Sequence, residues 1–153
     1  MPSVFEKERQ SAAAQSGKST AIARYLAGRP EAPGGFRTHW DRAGGRLTLE
    51  LLETGETLSV ATMEPHGVRA DRAAFDAAGE RLLSAPAGRR SLLLMDELGF
   101  LERCSPVFQR AVFTLLDGPT PVLGVLRRHE KSPFWGPVSR RADVRLLPLT
   151  VEN

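Results

Sequence analysis

Apolar and polar positions fall into short blocks along the chain, and the period of each block predicts its element. After Gly17 a helical pattern runs through Leu26 and is stopped by Gly28 and Pro30. Residues 36–40 and 46–52 have the pattern of two strands, joined by a turn at 41–45 that carries Gly44 and Gly45. Residues 58–63 are a candidate third strand. Residues 71–83 put Ala74, Ala78 and Leu82 on one helical face, with Asp71 placed as N-cap. The run 91–95 is short and apolar, which suits a strand buried on both faces. Ser105 is placed to cap a helix beginning at Pro106, where a missing N–H costs nothing, and that helix is expected to end at Asp117 and Gly118. Residues 121–126 suit another buried strand, 133–141 a short helix and 144–150 a last strand. Strands and helices alternating over short connections imply a mostly parallel sheet flanked by helices, with an antiparallel hairpin insert. The predicted class is α/β.

Length and composition narrow the class of protein. The 153 residues suit one domain across 1–153, and 41% hydrophobic with 25% charged residues is the profile of a soluble globular chain. No apolar run approaches the roughly 20 residues needed to span a bilayer, and the first residues lack the order of a secretory signal, so no membrane partner is expected. Cys104 is the one cysteine, which excludes an internal disulfide and makes a reducing, cytoplasmic setting the expectation. His39, His66 and His129 are far apart in sequence with no cysteine pairs beside them, which argues against a zinc cluster. The formal charge is +3, and only Lys7, Lys18 and Lys131 are lysines. The arginines are scattered instead of forming a stripe with aromatics between them. A solvated surface is the expectation, and nucleic acid is not an expected partner.

Two motifs carry chemistry. Gly17-Lys18-Ser19-Thr20 opens a predicted helix and matches the second half of the phosphate-binding pattern G-x-x-x-x-G-K-[ST]. In such a loop the backbone N–H groups and the helix dipole face phosphate oxygens. Lys18 would reach the β- and γ-phosphates, and the Ser19 hydroxyl would ligate magnesium. The tetrapeptide alone also fits an ordinary helix start. The second motif is Leu92-Leu93-Leu94-Met95-Asp96-Glu97, an apolar strand ending in two carboxylates. Acids at the C-terminal tip of a parallel strand lie in the crevice where ligands bind. There Asp96 can hold a magnesium shell and Glu97 can polarise an attacking water.

Further segments carry a family resemblance: Gly35-Phe36-Arg37-Thr38, Asp96-Glu97-Leu98-Gly99, Ser105-Pro106-x-Phe108, Pro121-Val122-Leu123-Gly124-Val125, Arg127-Arg128 and the closing Thr150-x-Glu152-Asn153. In this order and spacing, over residues 16–153, the chain resembles the small nucleoside-triphosphatase family of P-loop proteins. The resemblance implies a RecA-like three-layer domain, magnesium-dependent hydrolysis of ATP, GTP and related triphosphates, and broad base tolerance. It makes Ala14, Gln15, Ser16, Gly17, Lys18, Ser19 and Thr20 the phosphate cradle. Ser19 and Asp96 become the magnesium residues, and Glu97 the candidate general base. Arg127 and Arg128 follow a predicted strand at the ligand-facing edge. An arginine there, Arg128 in particular, can stabilise charge on the γ-phosphate or simply be solvated. Arg37 is a weaker candidate of the same kind. His66 and Cys104 are expected to be structural or surface residues, and Trp40 and Trp135 to stack on a base or pack on the core.

The chain departs from the pattern in the first half of the loop. Ala12 stands at the leading glycine and Gln15 at another position usually held by glycine, where a Cβ disfavours φ > 0 and close approach to phosphate. The preceding strand is poor, since Glu6, Lys7, Glu8, Arg9 and Gln10 follow Val4 and Phe5. An insertion of residues 11–15 would account for both faults, with Lys7 at the glycine position. A degenerate loop would as well. Hydrolysis is the leading expectation. The alternatives are a nucleotide kinase, for which no lid with closing arginines is seen, and a nucleotide-binding or partner module without turnover.

Overall fold

Leu92 and Leu94 face one side of the central strand while Met95 and Leu98 face the other, and all four are buried. A strand apolar on both faces has to lie inside the sheet, and the rest of the chain is arranged around that requirement. The computed structural model describes residues 2–7, 27–28, 32–85 and 90–148. In chain order the elements are β1 (Pro2–Lys7), β2 (Gly34–Asp41), β3 (Arg46–Leu51), β4 (Thr57–Glu64), β5 (Gly67–Ala70) and α1 (Arg72–Ser84). They continue with β6 (Leu93–Leu98), a 3-10 turn (Leu101–Cys104), α2 (Pro106–Asp117), β7 (Val122–Arg127), α3 (Trp135–Ser139) and β8 (Val144–Pro148). The eight strands form one sheet in the order β5-β4-β3-β2-β6-β7-β1-β8.

The class is α/β, with helices on a sheet and the antiparallel ribbon expected from the turn at 41–45. The sheet is more mixed than the alternation of elements implied. β6 pairs in parallel with β2 and β7. The ribbon β2-β3-β4-β5 is antiparallel throughout, and β1 runs antiparallel to both β7 and β8. β5 was not foreseen, because four residues with mostly exposed side chains give no apolar period. The charged residues of β1 make it a poor strand by apolar pattern. It is held by backbone pairing and by Phe5, which is fully buried and lies opposite Gly124. A Cβ on Gly124 would fall 2.3 Å from the Phe5 ring, so the glycine makes room for the ring. The strand expected at 91–95 extends to Leu98, whose burial draws Asp96 and Glu97 into its last residues. The helix expected at 133–141 is confined to Trp135–Ser139, since Pro133 precedes it and Arg140 leaves helical geometry.

Local chemistry sets the helices. The Asp71 carboxylate accepts from the Ala74 N–H at 3.1 Å and caps α1. α1 stops at Ala85, whose extended backbone is what the following Pro86 requires. Ser105 caps α2 by accepting from the Phe108 N–H at 3.1 Å, and its hydroxyl donates to Asp76 of α1. Phe108 is the hub of the core, with ring centroids 5.4 Å from Phe36 and 5.3 Å from Phe75. Each such side chain fully buried contributes roughly 1.5–3 kcal/mol. Arg141 ties the end of α2 to the start of β8, bonding Asp117 at 2.8 Å and Asp143 at 2.9 Å. The second, smaller cluster of Leu92, Leu94, Leu123 and Val125 lies on the other face of the sheet. Gly35, at φ 92°, lets β2 lie against β6, because a Cβ there would fall 2.0 Å from the Leu94 carbonyl oxygen. Among the described residues no helix is long and apolar enough to cross a membrane.

Gly79 in α1 is where helix propensity and packing oppose each other. Alanine would favour an exposed helix by up to about 1 kcal/mol. Here its Cβ would stand 2.9 Å from the Phe108 Cα, a backbone atom of the packed partner helix that cannot rotate away. Overpacking of this kind costs about 1–3 kcal/mol, so packing is expected to win. Gly79→Ala should lower the thermal midpoint; an unchanged or raised midpoint would show that the two helices can separate freely.

Candidate active site

The last residues of β6 leave the core at the sheet edge with their carboxylates on a cleft of about 430 Å³. Asp96 is opposite Arg37 of β2 and Val125 of β7, and the Thr38 hydroxyl donates to its carbonyl oxygen at 3.2 Å. The register with β7 shifts between Asp96 and Leu98, so Glu97 sits at an irregularity of the ladder. Such irregularities re-aim side chains beside functional sites. Glu97 is mostly buried, and its Oε1 lies 3.0 Å from the Nε of Arg127 at the end of β7.

The loop after β6 is held at Gly99 from both sides. Its N–H donates to Glu102 Oε2 at 2.8 Å, and its carbonyl accepts from the Ser132 hydroxyl at 2.9 Å. Ser132 also accepts from the N–H groups of Phe134 and Trp135 at 3.1 and 3.2 Å, which joins the segment entering α3 to the acid loop. Glu102 is buried in the 3-10 turn, and burial is the main cause that pushes its carboxyl up to about 7. Glu97 nearby pushes in the same direction, while the Gly99 N–H and Arg127 oppose it. The expectations from sequence did not include Glu102. Its signal was the spacing of three residues from Gly99, which lets a side-chain oxygen reach back to a backbone N–H within one turn.

The cleft has two unlike walls. One carries Asp96, Glu97, Gly99, Glu102 and Arg127; the other, from the β2–β5 ribbon, carries Trp40, Leu47, Met63 and Val68. Among the described residues no group of three His, Cys, Asp or Glu side chains could cage a metal. Asp96 and Glu97 nevertheless offer the hard oxygen donors that magnesium takes, one or two carboxylates supplemented by phosphates and water. Asp96 and Glu97 therefore fit magnesium as far as their chemistry goes.

The phosphate-cradle residues Ala14, Gln15, Ser16, Gly17, Lys18, Ser19 and Thr20 lie outside the described residues, as does the helix expected after Gly17. β1 ends with Lys7 opposite Val122, at the sheet edge away from Asp96. The arginine beside the acids is Arg127, and Arg128 points elsewhere. Arg128 is exposed, with its guanidinium carbon 5.5 Å from the Trp135 ring centroid. β7 ends at Arg127, so Arg128 lies beyond the strand. Arg37 and His66 are exposed, and Trp40 lines the cleft while Trp135 does not. Burial raises the Cys104 thiol above its ordinary value, which keeps it protonated and poorly nucleophilic.

The raised Glu102 carboxyl makes stability depend on pH. The folded protein holds that proton to higher pH than the unfolded chain, so its contribution is complete below about 4.5 and is lost as pH rises through about 7. The loss is at most about 3 kcal/mol. Glu102→Gln keeps an oxygen for the Gly99 N–H but cannot ionise. Urea midpoints at pH 5 and pH 8 should separate more in the parent than in the variant. Equal separations would remove Glu102 as the titrating group.

Comparison with known proteins agrees with this geometry. The family model described as NTPase matches residues 11–153. Nucleoside-triphosphatase THEP1 of Thermofilum pendens is 28% identical over 151 residues, covering 90% of this chain and 82% of the relative. No solved structure matches the chain significantly. With the matched span running from the loop segment to the last residue, and with the acid pair at the tip of a parallel strand, the chain belongs to the NTPase family of small P-loop nucleoside-triphosphatases.

Proposed function

We propose that the chain cleaves the terminal phosphate anhydride of nucleoside triphosphates with magnesium, and that it tolerates different bases. The observation that carries this reading is the Asp96–Glu97 pair at the C-terminal end of β6, opening on the cleft with Arg127 beside Glu97. The breadth of base rests on the family resemblance. Lys18 and the backbone of 14–20 would hold the phosphates, and Ser19 with Asp96 would hold the metal. Magnesium when bound supplies charge to the β- and γ-oxygens. Reach does not oppose this assignment. The residues from Glu8 to Ser16 can span about 30 Å when extended, more than the roughly 20 Å length of a six-residue strand. The chain leaving Lys7 at the far edge can therefore return Gly17 and Lys18 to the edge of Asp96.

In the proposed step Glu97 accepts a proton from the attacking water while Arg127 fixes the orientation of its carboxylate. Arg127 is half exposed and can also turn toward charge developing on the phosphate. A second carboxylate lines the same cleft and is an alternative base: Glu102, whose burial raises its carboxyl to about 7, near the range for accepting protons at neutrality. The decisive experiment measures magnesium-dependent phosphate release from ATP and GTP beside binding of a non-hydrolysable analogue. Binding without release would leave a nucleotide-binding module, the outcome that the altered loop at Ala12 and Gln15 favours.

Two expected outcomes follow from these roles. Glu97→Gln should slow phosphate release by about 10²–10⁴-fold with analogue affinity near normal, because a base acts on water more than on bound nucleotide. Release that survives in Glu97→Gln and falls in Glu102→Gln would assign the base to Glu102. Lys18→Ala should weaken triphosphate binding by about 1–3 kcal/mol, the scale of a lost charged hydrogen bond, with little change for adenosine. Equal losses for the two ligands in a calorimetric titration would take Lys18 out of the phosphate site.

A further inference from the structure

The base of the triphosphatase reading sits where the ladder is irregular. The β6–β7 register steps from Asp96 opposite Val125 to Leu98 opposite Leu126, which makes a bulge at Glu97. In a regular ladder the paired backbone groups fix where each side chain points. At a bulge that pairing is disrupted, and the direction of the side chain depends on what holds the peptides beside it. Arg127 meets the Glu97 carboxylate at 3.0 Å, but Arg127 is half exposed at the end of its own strand. An ion pair open to solvent on one side is a weak restraint.

A firmer restraint stands at Gly99, just past the end of β6. Its N–H donates to Glu102, whose own carbonyl accepts from Gln109 Nε2 of α2 at 3.0 Å. Its carbonyl accepts from the Ser132 hydroxyl. Ser132 is fixed in turn. A hydroxyl has one donor and two acceptor sites, and Ser132 uses all three, donating to Gly99 and accepting from the Phe134 and Trp135 N–H groups. Pro133 has no N–H, so these are the first two donors the segment offers. Phe134 is fully buried, with its ring centroid 5.8 Å from that of Phe113 and 6.5 Å from that of Phe108, which ties the hydroxyl to the core. The Gly99–Ser132 bond also closes a ring. Glu97 lies two residues before Gly99 and Arg127 five before Ser132, and the ion pair joins the other ends. Opening the ring at Ser132 frees both members of that pair. Gly99 lines the cleft and Ser132 does not, so Ser132 acts there only through its neighbour.

We infer that Ser132 is a positioning residue for the hydrolytic step: through the Gly99 carbonyl, its hydroxyl holds the Glu97 carboxylate in the orientation that meets the attacking water. This role rests on the triphosphatase reading with Glu97 as base, and the test keeps the two separable. Phosphate release from ATP with magnesium is measured for the parent, Ser132→Ala, Ser132→Asp, Glu97→Gln and the double variant Ser132→Ala/Glu97→Gln. Ser139→Ala is the control, since that hydroxyl bonds to Gly136 within α3 and not to the acid loop. Ser132→Asp removes the donor to Gly99 but keeps oxygens for the Phe134 and Trp135 N–H groups, so it carries the comparison if Ser132→Ala unfolds. Rates are compared below the thermal midpoint of each variant. The expected result is a kcat lowered about 10- to 100-fold in both Ser132 variants, up to the scale of a 1 Å misplacement, with KM and analogue affinity unchanged. Ser139→Ala should keep the parent rate. On top of Glu97→Gln, Ser132→Ala should cost less than about twofold, because the group it positions is gone. A parent-like kcat in either folded Ser132 variant would overturn the inference. So would a full loss repeated on top of Glu97→Gln, a loss confined to KM, or unfolding of both variants, since Ser132 would then serve another group, nucleotide binding or the fold alone. A parent that binds the analogue and releases no phosphate defeats the triphosphatase reading, and this role falls with it. A parent that releases phosphate no faster than its folded Ser132 variants defeats the role alone.

Discussion

β6 is hydrogen-bonded in parallel to β2 on one side and β7 on the other, and both of its faces are buried. A buried backbone cannot leave its N–H and C=O groups unpaired without losing the equivalent of a hydrogen bond for each, so the two parallel ladders have to be complete. Completing them brings Gly34 and Gly35 against Leu93 and Leu94 and sets Asp96 between Arg37 and Val125. The site follows from this confinement. The strand can expose polar side chains only where the ladders end, so the carboxylates stand at the edge.

The polar network at that edge acts as a frame. A carboxylate buried as deeply as Glu102 would be costly without a partner, and its acceptance of the Gly99 N–H reduces that cost. Ser132 satisfies the other side of the same glycine and collects the first N–H groups of the α3 segment. The acid loop and the segment after β7 are therefore joined through Gly99 and Ser132, and Arg127 and Glu97 pair beside them. The stack of Phe100 on His129, with centroids 4.4 Å apart, adds an apolar clamp between the same two segments. Chemistry that depends on distances of a few tenths of an ångström needs supporting contacts of this kind.

Much of the fold was legible in the residues because the signals are local. Asp71 and Ser105 cap the helices they were expected to cap, and Pro106 opens α2. Gly45, at φ 63°, sits in the turn that joins β2 to β3. The acid pair at the tip of an apolar strand was legible for the same reason, since six adjacent residues contain the whole pattern. β5 and the direction of β1 were not, because a short strand borrows its stability from a neighbour that may be distant in sequence. β1 pairs with residues about 120 positions away, and no periodicity within Pro2–Lys7 states which way it runs.

By itself, then, the sequence determined the α/β class, the boundaries of α1 and α2, the turn of the ribbon and the identity of the acid pair, because each depends on backbone preferences and side chains within a few residues. The tertiary structure alone decided which arginine meets Glu97, that Glu102 is buried against Gly99, and that Trp40, Met63 and Val68 converge on one cleft. Adjacent residues such as Arg127 and Arg128 are equivalent in composition, yet one closes β7 beside Glu97 and the other lies beyond the strand against Trp135. Burial, likewise, belongs to the assembled neighbours and not to the residue. The physical reason is range: hydrogen bonds within a turn are written in adjacent letters, whereas a cleft is the meeting of strands that pair across the sheet.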